Sequence, residues 1–179
     1  MTLTNPAHSR SREPITLSDL QSLVDIARSD RDYFFQRHPR SSAPNSRRLL
    51  CMALCQGAAS HFVDGRNGAK DFDVWSFFCE IAAQPIRRRW VVSRDFGQPR
   101  FGKWPDKPNF IGRKVDLLLK SIACTPDRSP TRSLQHYLTK VRTQTARCLT
   151  KKAAVLLEPV KQMGIVAGQP NDTSPSLKS

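Results

Sequence analysis

The chain has 179 residues, enough for one domain with a real hydrophobic core and too few for two. An apolar fraction of 39% fits a folded centre between polar ends, and no apolar run nears the roughly 18 to 20 residues that cross a bilayer. The N-terminus lacks the apolar core of a signal peptide, so the expectation is a cytoplasmic protein with no membrane segment.

Residues 1–14 and 161–179 are polar and bury too little to offset their ordering entropy, so both are expected to be mobile tails around a single domain over 15–160. Within it, Thr16 or Ser18 caps a helix that runs to about Arg37, with Leu20, Leu23, Val24 and Ala27 at helical spacing. His38-Pro39 closes it, and a linker follows. Leu49 to Ala59 is a continuous apolar run that fits a buried strand or a buried helical turn, and periodicity does not choose between them. Asp64-Gly65 and Asn67-Gly68 are turn dipeptides. Lys70 to Phe78 is rich in β-formers and reads as a strand, with Asp71, Asp73 and Trp75 on one face.

Residues 82–111 read as loops with a short hairpin over Arg87 to Val92. Arg113 to Ile122 is a second strand, with Val115 and Leu117 flanking Asp116. Thr131 to about Leu157 reads as one long helix, its stripe including Leu134, Leu138, Cys148 and Leu149. These elements predict an α+β fold: a small mixed sheet carrying acids, flanked by an N-terminal helix and a long C-terminal helix. The five cysteines form no metal-binding spacing and read as free thiols in apolar surroundings.

The charge is unevenly spread. Residues 85–114 carry nine Lys/Arg and two acids, and residues 120–179 carry ten and three. Residues 49–84 carry two and four, so the one acidic stretch of a +14 chain holds Asp71 and Asp73. Such an excess suits a polyanionic partner, nucleic acid or nucleotide, or a plain solvated surface. Arg87-Arg88-Arg89-Trp90 fits nucleic-acid contacts, or a solvated loop with Trp90 on the core. Asp95-Phe96-Gly97 spells a kinase metal motif, but no Gly-rich loop or catalytic-loop motif accompanies it. His61 reads more readily as structural than as catalytic.

Carboxylates two apart on a strand point the same way and repel unless a cation lies between them. A third on a neighbouring strand would complete a set suited to a hard cation shared with phosphates. Gly57, after an apolar run and beside Ala58 and Ala59, permits a tight turn and close backbone approach to phosphate. The bland alternative places Asp71 and Asp73 on a solvent-facing edge strand.

Gln56-Gly57-Ala58, then Asp71-Phe72-Asp73-Val74, then Val115-Asp116-Leu117 together resemble the signature of the nucleotidyltransferase superfamily with the DNA-polymerase-β-like fold. The matched region, about Leu49 to Ile122, is under half the chain. It departs from the pattern at Ala58, where a serine is usual, and at Gln56, where an apolar residue is usual. The resemblance implies transfer of a nucleoside monophosphate from a nucleoside triphosphate to a hydroxyl of RNA, protein or a small molecule. It assigns Mg²⁺ or Mn²⁺ ligation and catalysis to Asp71, Asp73 and Asp116, and nucleotide contacts to Gly57, Ala58, Ser60 and Lys70. Small stand-alone members often belong to toxin–antitoxin systems, which implies an antitoxin-type partner. The alternative function is a non-catalytic, basic nucleic-acid-binding module with a degenerate site.

Overall fold

A computed structural model describes residues 10–81, 85–86, 91–124, 128–140 and 142–168. Among the described residues are five α-helices and six strands, and the strands build one mixed sheet in the order β3-β4-β2-β1-β5-β6. Helix α1 (Leu17–Arg37) starts in a capping box, where the Thr16 hydroxyl and the Asp19 carboxylate each accept from the other's backbone N–H. Its Leu20, Leu23 and Val24 are fully buried, each worth about 1.5–3 kcal/mol of transfer free energy. Helix α2 (Pro39–Asn45) occupies part of the expected linker.

Strand β1 (Leu49–Cys55) resolves the open choice between strand and helix. It is apolar throughout because it is central in the sheet and covered on both faces. Alternation sends Met52 and Leu54 toward α1 and α3 (Gln56–Asp64), and Cys51, Ala53 and Cys55 toward α4 (Pro130–Lys140) and α5 (Gln144–Leu149). Strand β2 (Phe72–Cys79) pairs antiparallel with β1 and parallel with β4 (Lys114–Ile122); β3 (Val91–Asp95) pairs antiparallel with β4. The result is three layers, with Phe72, Val74, Val115 and Leu117 on the α1 side and Trp75, Phe77 and Leu118 on the α4 side.

Several expectations need correction. The single long C-terminal helix is two short ones. Thr143 caps the second, accepting from the Ala146 N–H at 3.1 Å, and the chain then turns into β5 (Ala154–Glu158). Ala154 to Leu157 is buried because it pairs with β1 inside the sheet, not because it continues a helix stripe. The chain from 161 to 168, expected to be tail, supplies β6 (Val166–Gly168) on the edge of β5. At the other end, Ser11 bridges Ala69, so residues 10–14 are also tied to the fold.

The cysteines are not all free thiols: Cys79 and Cys124 form a disulfide, with Cα atoms 5.5 Å apart, at the adjacent ends of β2 and β4. Cys51 and Cys55 are buried free thiols, while Cys148, placed on an apolar stripe by the sequence, is exposed. The hairpin expected over Arg87 to Val92 falls mostly outside the described residues, as does the Arg87–Trp90 cluster; Val91 and Val92 open β3. Residues 1–9 and 169–179 also lie outside them.

Candidate acidic site

Cys55 ends β1, Phe72 and Lys114 begin β2 and β4, and Asp95 ends β3, so four strand ends meet along one margin of the sheet. Parallel register sets Asp73 directly beside Asp116, with Cys55 opposite Asp73 and Ser93 opposite Asp116. By alternation, Asp73 and Asp116 share the face that carries Trp75, Phe77 and Leu118. Asp71 lies one residue before β2.

Lys114 joins the group. Its ammonium is 2.7 Å from Asp116 and 3.7 Å from Asp71, and it stands 4.7 Å from the centre of the Trp104 ring. Burial pulls its pKa down, but the Asp116 hydrogen bond and the charges of Asp116, Asp71 and Asp73 outweigh that, and the net shift is upward. The Ser93 hydroxyl donates to the other Asp116 oxygen at 2.6 Å. Beneath the acids, burial and then Asp73 and Cys51 push the Cys55 thiol well up, so it stays protonated. Lys114 and Ser93 were not singled out from sequence, although Lys114 sits two before Asp116 and period-two alternation places both on one face.

The Lys114 ammonium lies between Asp71 and Asp116 and feels the charge of Asp73, so one cation already answers these carboxylates. The donor set therefore fits a hard cation by its oxygen chemistry. As the side chains stand, no three His, Cys, Asp or Glu among the described residues gather closely enough to hold a metal. The Lys114 ammonium occupies the ground between them.

The expected nucleotide contacts divide. Gly57 is the second residue of α3, and it is Gln56, the first, that takes the left-handed backbone, with φ of 65°, at a cost of roughly 1–2 kcal/mol. A Cβ at Gly57 would make only ordinary contacts, 3.6 Å from the Arg10 guanidinium and 3.9 Å from the Lys152 ammonium, which places both cations beside it. Gly57 lines a cavity of about 580 Å³ with Arg10, Ser60, Arg66, Lys151 and Lys152. Ser60 accepts from the Ala153 N–H at 3.3 Å and so ties α3 to the entry of β5.

Ala58 is buried in the core beneath α1, so its side chain meets apolar neighbours and only its backbone is available to a ligand. Lys70 points away from this cavity, its ammonium 5.7 Å from the centre of the Trp104 ring. The basic cavity and the acidic group share one sheet margin: Ala153 in the cavity wall precedes Ala154, and β1 lies between Ala154 and Asp73.

Two tempting residues are structural. The buried His61 binds the Glu13 carbonyl through Nε2 at 2.9 Å and accepts from the Gly68 N–H at Nδ1, 3.2 Å away. Asp95 accepts from the N–H groups of Gly97, Ile111 and Gly112 at 3.0, 2.6 and 2.8 Å, clasping the loop that carries Phe101 and Trp104.

No family model, curated protein or solved structure matches this chain.

Proposed function

We propose that the chain is a nucleotidyltransferase-like enzyme that moves a nucleoside monophosphate from a nucleoside triphosphate to a hydroxyl of an acceptor. The observation that carries this reading is the register pairing of Asp73 with Asp116, at the sheet margin near a basic cavity lined by Gly57 at the start of α3. Acids that hold a cation and amides and cations that hold phosphate are the two halves such a transfer needs. Mg²⁺ or Mn²⁺ held by Asp71, Asp73 and Asp116 would neutralise phosphate charge and lower the pKa of the attacking hydroxyl.

The chain's own residues do the rest. Gly57 and the first N–H groups of α3 receive phosphate oxygens, with Arg10 and Lys152 beside them. Asp116, oriented by Ser93, accepts the proton of the acceptor hydroxyl as its oxygen bonds to the α-phosphorus and pyrophosphate departs. RNA, protein and small-molecule acceptors, an antitoxin-type partner and a cytoplasmic setting all remain within this reading. No helix among the described residues is long and apolar enough to cross a membrane.

One observation favours the second reading, a binding module with a degenerate site: Lys114 already compensates the carboxylates. Incubation with labelled nucleoside triphosphates and cellular RNA, in Mg²⁺ and in Mn²⁺, separates the two. Label transfer by the wild type that falls at least about a hundredfold in Asp71→Asn is the expected result for a residue acting in the transition state. Absence of transfer with every nucleotide and both metals would leave the binding module.

A further inference from the structure

At the far end of β2 and β4 from the aspartates lies a second cavity, of about 720 Å³, with Lys120, Arg128, His136, Tyr137, Lys140 and Arg142 in its wall. Cys79 lies six positions along β2 from Asp73, and Ile122 six along β4 from Asp116, so the two places are about 20 Å apart along the sheet. Glu80 is the only acid in the cavity lining among the described residues.

The cations of this cavity, like Arg10, Lys151 and Lys152 around the first one, stand apart from the ion pairs of the fold. Arg28, Arg31, Arg94, Arg100 and Lys114 each sit within 4 Å of a carboxylate. Lys120, Arg128, Lys140 and Arg142 have no such partner among the described residues. Like charges gathered around one concavity repel each other, and an anion relieves that cost. Desolvation, then the charges of Lys140 and Arg128, hold the His136 imidazole below its usual value, in keeping with a positive enclosure. The floor is firm: the Tyr137 ring packs 6.1 Å from Phe77, and its hydroxyl hydrogen-bonds Thr143 at 3.0 Å.

The spacing of the charges indicates the ligand. Arg128 precedes α4 and Lys140 ends it, so about 16 Å of helix separates them. Cations spread along the length of a helix suit a backbone with a charge at every nucleotide, with Lys120 and Arg142 extending the same wall. The two arginines offer forks that match phosphate oxygens.

We propose that this cleft holds the phosphodiester backbone of a single-stranded nucleic acid. The inference goes beyond the transfer reading. Its test uses neither metal nor nucleotide triphosphate as a reactant, so either idea can fail without the other.

The experiment is fluorescence anisotropy with labelled twelve-nucleotide oligo(A), as RNA and as DNA, over a salt series. Arg128→Ala/Arg142→Ala and Lys120→Ala/Lys140→Ala are compared with Arg12→Ala/Lys161→Ala, which removes the same charge from exposed positions outside the cleft. Each cleft pair should weaken binding about tenfold or more and lower the log–log salt slope by about 1.4, while the control pair changes affinity less than about threefold. Binding of either oligomer with this pattern supports the proposal, and the tighter of the two assigns RNA or DNA. Equal losses in cleft and control pairs would overturn it, since affinity would then follow net charge alone. Competition by ATP or by polyglutamate as strong as by unlabelled oligomer would also overturn it, in favour of a mononucleotide or an acidic peptide.

Discussion

Lys114 and Asp95 face each other across the β3–β4 pair and do different work. Lys114 compensates Asp116 and Asp71. Removing its charge while keeping its length, as in Lys114→Met, leaves the three acids to repel each other and to accept a divalent cation without competition. The variant should bind Mn²⁺ at least about tenfold more tightly than wild type, an arithmetic difference of roughly 1.4 kcal/mol, and calorimetric titration measures it. Equal affinity in the two proteins would remove Lys114 from any role as competing cation.

Asp95 is depressed despite the opposing effect of burial, which is the largest single influence, because three backbone N–H groups and then Lys103 favour its charged form. A carboxyl whose folded pKa is lowered contributes stability above its ordinary value of 3.8, and loses it as pH falls through the folded value. Wild type should therefore lose stability faster than Asp95→Asn below about pH 4. Denaturant melts at stepped acidic pH would show the two curves converging; parallel curves would mean that the clasp carries no proton linkage.

The elements show which parts of this fold were legible. Strand β2 and strand β4 were readable because apolar and acidic residues alternate where one face meets solvent at the strand start, and Thr16 was readable as a cap because capping is local. The run from Ala153 to Leu157 was misread as helix. Its partner, β1, lies about a hundred residues away, and a strand covered on both faces has no period to display. Local spacing put Asp71, Asp73 and Asp116 on strands, but nothing local makes β2 and β4 parallel neighbours, so the pairing of Asp73 with Asp116 was expected only as a condition. The ion pairs that fasten α1, Arg94 to Asp30 and Arg100 to Asp19, join residues 64 and 81 apart and left no sequence signal. Packing of α4 depends on few residues, chiefly Leu134 and Leu138. Leu134→Ala should cost on the order of 2–5 kcal/mol in urea unfolding, as a fully buried leucine leaves a cavity between helix and sheet. A loss below about 0.5 kcal/mol would mean that α4 is not part of the cooperative core.

Across the whole molecule, a chain of net charge +14 gathers Asp71, Asp73, Asp95 and Asp116 at one margin of a six-stranded sheet and has basic cavities near that margin and at the opposite end. The Cys79–Cys124 disulfide links β2 and β4 at the end remote from the acids, so the two strands that carry Asp73 and Asp116 are joined by their backbone ladder and by a covalent bond. The account rests on these strands making one shared cation site. The most direct test is the melting temperature of wild type and Asp73→Asn as Mn²⁺ is titrated, with and without ATP. Wild type should gain stability with Mn²⁺ as RT ln(1 + [L]/Kd) requires, gain more with ATP, and lose both gains in Asp73→Asn. No gain in wild type, or an equal gain in the variant, would contradict it.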